Sequence, residues 1–191
     1  YGMRNYQVTD VVPKFDFREY RNSRIATIAF MIAVSAVYVV YKYAVDGYST
    51  EKTVIVFVMC LLKSVDAAED VYHGMYQQQG RLDIAAKLQT IRMVGTILSF
   101  AAGLIVFRNL LTALILATVV SAVLVFGLIA VTLPEFQDKT ASSITGAEAR
   151  KKTVGLLKIC FPLFAGTFLS FYIGNAPNFM VKSIADENGV K

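Results

Sequence analysis

The chain has 191 residues, 55% of them hydrophobic and only 17% charged, with a mean hydropathy of +0.53 and a formal net charge of +5. Soluble domains carry about 25% charged residues, and here the deficit falls in long apolar runs, so the composition describes an integral membrane protein with no nucleic-acid partner. Cys60, Cys160 and the single histidine, His73, leave no disulfide framework, no metal site and no cofactor motif.

Tyr1–Arg24 reads as a polar, basic and aromatic lead-in containing Pro13, and Ile25–Val45 as a first apolar span with Tyr38, Tyr41 and Tyr43 near one end, as in an interfacial belt. A short turn over 46–52 precedes a second span from Thr53 to about Tyr72. Tyr76–Lys87 is expected as a connecting loop, Leu88–Phe107 as a third span, and Arg108-Asn109 as a tight turn into Leu110–Leu133, which carries no charge. Pro134–Lys152 reads as a polar loop and Val154–Ile173 as a fifth span, with Pro162 a kink and Asn175-Ala176-Pro177 a break or helix end. The fold class is thus an all-α membrane protein of about five spans. Both ends look cut, and the chain is expected to be a piece of a longer one.

The second span departs from simple apolarity. Its run Thr53–Leu62 is too short to cross a bilayer, which takes roughly 20 apolar residues. Lys63, Asp66, Glu69, Asp70, His73 and Gln77 follow it, so some of these ionisable groups sit at membrane depth if the helix spans. At about 100° per residue, Lys63, Asp66, Asp70, His73 and Gln77 share a stripe roughly 80° wide, with Glu69 off it. Lys63 and Asp66 are spaced to pair. The stripe reads as the lining of a transport pathway facing the bundle interior, or as a solvated extension with Lys63 snorkelling to the interface.

Lysines and arginines are unevenly placed. Five lie in the lead-in, three over 81–92 and five over 139–158, against Lys42, Lys52 and Arg108 on the opposite side. The positive-inside rule puts the three basic segments in the cytoplasm.

Three pieces carry a family resemblance: Gly2-Met3-Arg4-Asn5-Tyr6-Gln7 with Asp10 and Tyr20; Asp70 to Asp83 around the triplet Gln77–Gln79; and Phe161-Pro162 with Ser170 to Asn178. Together they resemble the polysaccharide and lipopolysaccharide (Wzx-like) flippases of the multidrug/oligosaccharidyl-lipid/polysaccharide exporter superfamily. The resemblance implies a two-lobe fold of roughly twelve helices in the bacterial cytoplasmic membrane. Residues 1–133 would belong to the first lobe, 134–152 to an inter-lobe loop, and 153–191 to the first helix of the second lobe. It implies alternating-access flipping of an undecaprenyl-pyrophosphate-linked glycan, with polysaccharide-assembly membrane proteins as further partners.

On that reading Lys63, with Arg4, Arg24 and Arg92, suits a diphosphate and Tyr72, Gln77 and Asn175 suit a glycan, while Asp66 or Asp70 would bind a coupling proton or sodium ion. No catalytic residue, metal or cofactor is expected. The alternatives are a multidrug exporter of the same superfamily and a non-transporting protein or enzyme of glycan assembly. The short loops over 46–52 and 108–109 leave little room for an active site.

Overall fold

A computed structural model of the chain describes residues 2–9, 15–45, 49–136 and 146–187, and these are helical nearly throughout. The helices are α1 (Gly2–Thr9), α2 (Phe17–Val45), α3 (Thr50–Gln78), α4 (Leu82–Phe107), α5 (Leu110–Phe136) and α6 (Gly146–Glu187). The all-α membrane architecture expected from composition is present. Four helices are long and apolar enough to cross a bilayer: Phe17–Val45, Leu82–Phe107, Leu110–Pro134 and Lys152–Asn178. The second span, α3, does not meet that standard because of its charged half. It is nonetheless one unbroken helix, about 43 Å long at 1.5 Å per residue, which exceeds a hydrocarbon core of about 30 Å.

α3 is the hub. It packs against α2, α5, α1 and α4, while α4 pairs with α5 and α6 lies against α1 and α2. The outer faces of the apolar helices are uncovered, as at Phe30, Ile105 and Val131, which is where lipid contacts fall in a bundle whose backbone bonds are satisfied internally. The interior is concentrated at one end. Met3, Tyr20, Val71, Leu156 and Cys160 join α1, α2, α3 and α6. Met75, Tyr76, Ala85 and Leu88 join α3 to α4, with Leu128 and Leu133 of α5 against them.

Several boundaries move from their sequence-based positions. The lead-in is not a loop: Gly2–Thr9 forms α1, and α2 begins at Phe17 rather than Ile25. The Tyr76–Lys87 connection shrinks to three residues. Arg81 N–H donates to Tyr76 O at 2.9 Å and Gly80 N–H to Gln77 O at 3.1 Å, closing a Schellman motif. Gly80 takes a φ of 73°, the left-handed conformation that this motif asks of it.

Arg108-Asn109 is the tight turn expected. Arg108 sits at φ 48°, and Asn109 Oδ1 accepts from the N–H groups of Leu111 (2.8 Å) and Thr112 (3.2 Å), capping α5. The 134–152 loop is also shorter than expected. α5 runs through Pro134 to Phe136 and α6 starts at Gly146, leaving 137–145 outside the described residues.

The expected break at Asn175–Pro177 is absent. α6 continues through both Pro162 and Pro177. Each proline removes one backbone donor, a loss that membrane helices tolerate where other groups take over the freed positions. Asn175 Nδ2 donates to Phe171 O at 2.8 Å, binding the side chain back onto its own helix.

α4 and α5 approach closely at Gly103, where an added Cβ would lie 2.9 Å from Ala113 Cα. Gly103→Ala should therefore force the pair apart and destabilise the bundle by about 1–3 kcal/mol. Gly127→Ala, with open space around its Cβ position, should be neutral or stabilise by up to about 1 kcal/mol. Melting curves in detergent should separate the two in opposite directions.

Candidate functional site

The charged half of α3 is where ion pairs from several helices meet. From Lys63 to Gln77 the helix presents ionisable or amide side chains to neighbours on several sides, and each neighbour supplies a partner.

On the α4 side the partner is Arg92, whose side chain is 12% exposed. Its Nη1 lies 2.6 Å from Asp66 Oδ1 and its Nε lies 2.6 Å from Glu69 Oε2. Nη1 also reaches Ser121 Oγ of α5 at 3.4 Å. One guanidinium thus holds two carboxylates one turn apart, tying α4 and α5 to α3. The Nε contact is close but off the hydrogen-bond axis, so it acts as a charge contact. Glu69 Oε1 in turn lies 3.2 Å from His73 Nε2, with the two side chains only 6% and 4% exposed.

On the opposite side Asp70 meets Arg24 of α2 through a direct Nη2–Oδ2 ion pair, and Arg4 of α1 at 3.7 Å. Arg24 Nε also donates to Ala67 O at 2.7 Å. Arg4 Nη2 donates to Gln77 Oε1 at 3.3 Å, and Gln78 Nε2 donates to Gln7 O at 2.6 Å. α1 is thereby laid along α3, and Gly74 gives it room: a Cβ there would fall 2.3 Å from Gln7 Oε1. The glutamine tract serves helix docking, with Gln79 exposed at the end of the helix.

The structure therefore brings together Arg4, Asp70 and Gln77 in one group, and Asp66 and Arg92 in a second. Lys63 is the correction. It does not point into the packed bundle: its side chain is 65% exposed, with Nζ 3.0 Å from Asp66 Oδ2. Arg92 occupies the inward side of Asp66, so the lysine pairs from the rim. Tyr72 packs edge-to-face on Phe17 with ring centroids 5.4 Å apart. Asn175 is not joined to the cluster, since α6 packs on α1 and α2.

Glu69 and Arg24 complete the arrangement, and the stripe argument left Glu69 out. Its i,i+4 spacing to His73 was the available signal. The single-stripe picture failed because α3 contacts four helices, so some off-stripe positions such as Glu69 are interior too. Glu19 was also missed. Its side chain is 4% exposed, Asp16 N–H donates to Oε2 at 3.1 Å, and Lys152 Nζ lies 2.9 Å from Oε1, linking the start of α2 to α6.

A family model described as "Putative citrate transport" matches residues 160–191, less than a fifth of the chain. That finding overturns the flippase resemblance: no polysaccharide flippase family is indicated. No curated protein and no solved structure matches. The Phe161–Asn178 piece that carried part of the resemblance lies wholly inside the matched stretch. With the four apolar helices, the match supports a multi-pass membrane protein of the transport class.

The two arms of the cluster differ in what their loss should do. Removing one partner of a buried ion pair strands the other, at about 3–5 kcal/mol, whereas an exposed pair contributes about 0–1 kcal/mol. Arg92→Leu should therefore lower the melting temperature strongly, while Lys63→Ala should scarcely move it. Thermal unfolding in detergent, followed by thiol-reactive fluorescence, checks the contrast.

Proposed function

We propose that the chain belongs to a transporter of small carboxylate anions, with the α3 ion pairs as the elements exchanged during transport. The observation that carries this reading is Arg92, one partly buried guanidinium with two carboxylates of α3 around it. A planar guanidinium selects carboxylates by paired N–H donors and charge. A site already shaped for side-chain carboxylates can take the same group from a substrate. Arg24 and Arg4, gathered on Asp70, form a second set of the same chemistry. The citrate-transport match over 160–191 supports an anion of that class.

In this scheme a substrate carboxylate competes with Asp66 or Asp70 for its arginine. The displaced acid is then available for a coupling ion, proton or sodium. Because α3 touches α1, α2, α4 and α5, exchanging these pairs changes how four helices are held together. Alternating access requires such coupling between occupancy and helix packing.

Uptake of radiolabelled citrate by the full-length protein in liposomes tests the reading. Arg92→Gln should reduce uptake about tenfold or more, consistent with loss of a charge-assisted contact, and Arg92→Lys should retain more. Lys63→Ala should transport normally. Citrate flux unaffected by Arg92→Gln, or no citrate flux in any condition, would count against it.

The orientation is testable as well. By the positive-inside rule the 79–81 connection is expected in the cytoplasm and the Lys52 end of α3 outside. In intact cells lacking other accessible thiols, an impermeant maleimide should label Lys52→Cys and spare Gln79→Cys. The reverse pattern would invert the topology.

A further inference from the structure

We propose that Glu69 and His73 form a proton-binding site in which a proton and Arg92 are alternative counter-charges for the same buried carboxylate. Both side chains are more than nine-tenths buried, and His73 Nε2 faces Glu69 Oε1 at 3.2 Å without a hydrogen-bond partner. A buried, unpartnered ring nitrogen aimed at a carboxylate has two ways to be satisfied. With its one hydrogen on Nε2 the neutral ring donates to Glu69 while Arg92 balances the acid's charge, and with a second proton on Nδ1 the imidazolium itself supplies the counter-charge.

The surroundings limit other sources of charge. From α4 comes Arg92, already divided between Glu69 and Asp66. From α2 and α1 come Arg24 and Arg4, both engaged by Asp70. α5 contributes the hydroxyl of Ser121, and carries no charged residue between Leu110 and Leu133. On α3 itself, Lys63 pairs with Asp66 from its exposed position. If Arg92 turns fully to Asp66, or to any competing anion, Glu69 is left as an uncompensated buried charge. That state is costly, and a proton taken from water relieves it, either on the His73 ring or on Glu69 itself.

The converse also holds. When a proton occupies the pair, Glu69 no longer needs Arg92, and one of the two ion pairs that Arg92 makes with α3 is released. Proton binding and the Arg92 contact are therefore linked and reciprocal. The site differs from Asp66 and Asp70, each of which has two cationic partners. Glu69 is the acid whose second partner is itself titratable.

The test is the protonation of His73, read by NMR of the full-length protein labelled with 13C,15N-histidine in lipid nanodiscs. Its signal is assigned by its loss in His73→Gln. At a fixed pH near neutrality, Glu69→Gln should lower the imidazolium-to-imidazole ratio at least about tenfold, the effect of removing one close charge. Arg92→Gln should raise the ratio by a similar factor, because it removes the competing cation. The opposite signs distinguish a shared counter-charge from general disruption of packing.

An unchanged ratio in Glu69→Gln, or a fall in Arg92→Gln, overturns the proposal. If Glu69→Gln does not fold, Glu69→Asp carries the test. It withdraws the carboxylate by one methylene and should lower the ratio by a smaller factor, and no change would overturn the proposal equally. This readout needs no transport assay, so it stands or falls apart from the citrate reading.

Discussion

A helix that carries acids at three positions within five residues can enter a membrane bundle only if its neighbours supply the counter-charges. Asp66, Glu69 and Asp70 impose that requirement on everything around α3. Arg92 arrives from α4, Arg24 from α2 and Arg4 from α1, so three of the four helices touching α3 each bring one guanidinium. Without them, each carboxylate would face the desolvation cost that keeps ionisable groups rare at membrane depth. The helices assemble around a charge balance, and the apolar contacts fill in around it.

Such pairs fix geometry more than they add net stability, since the Coulomb gain is largely offset by desolvation. A one-turn slip of α4 along α3, about 5.4 Å, would end the arrangement in which Arg92 meets both acids. The small residues act in the same direction. Gly74 lets Gln7 sit directly on α3, and Gly103 lets α4 meet the backbone of α5 at Ala113. Close approach at these points sets the distances over which the arginines must reach. The polar pairs and the glycines are therefore two halves of one constraint.

On the proposed transport reading, the same arrangement suits a moving part better than a fixed scaffold. Arg92 has two acidic partners and Asp70 has two basic ones. Shared partners allow one contact to weaken while another strengthens, with little change in total charge balance. An interface held only by matched apolar surfaces offers no comparable exchange, because its contacts are lost together. Transport through a helical bundle needs elements of the first kind at the points where helices separate.

The amino-acid sequence alone determined the membrane class, the positions of most apolar helices and the Arg108-Asn109 turn. These rest on run length, charge deficit and local turn chemistry, all of which are properties of neighbours along the chain. It also marked α3 as unusual and kept it a single helix through Asp70. The flippase resemblance rested on short stretches rich in Tyr, Gln, Gly, Asn and Pro, the residue types that helix ends and interfaces of many membrane proteins use. Tertiary structure decided the rest. Helical phase could place Lys63 and Asp66 on one face, yet only the position of Arg92 left Lys63 outside and Asp66 partly within. Phase likewise set Glu69 off the stripe, but four surrounding helices made that face interior too. Burial depends on what packs against a residue, and for α3 one such partner, Arg4 on Gln77, lies 73 positions away in the chain.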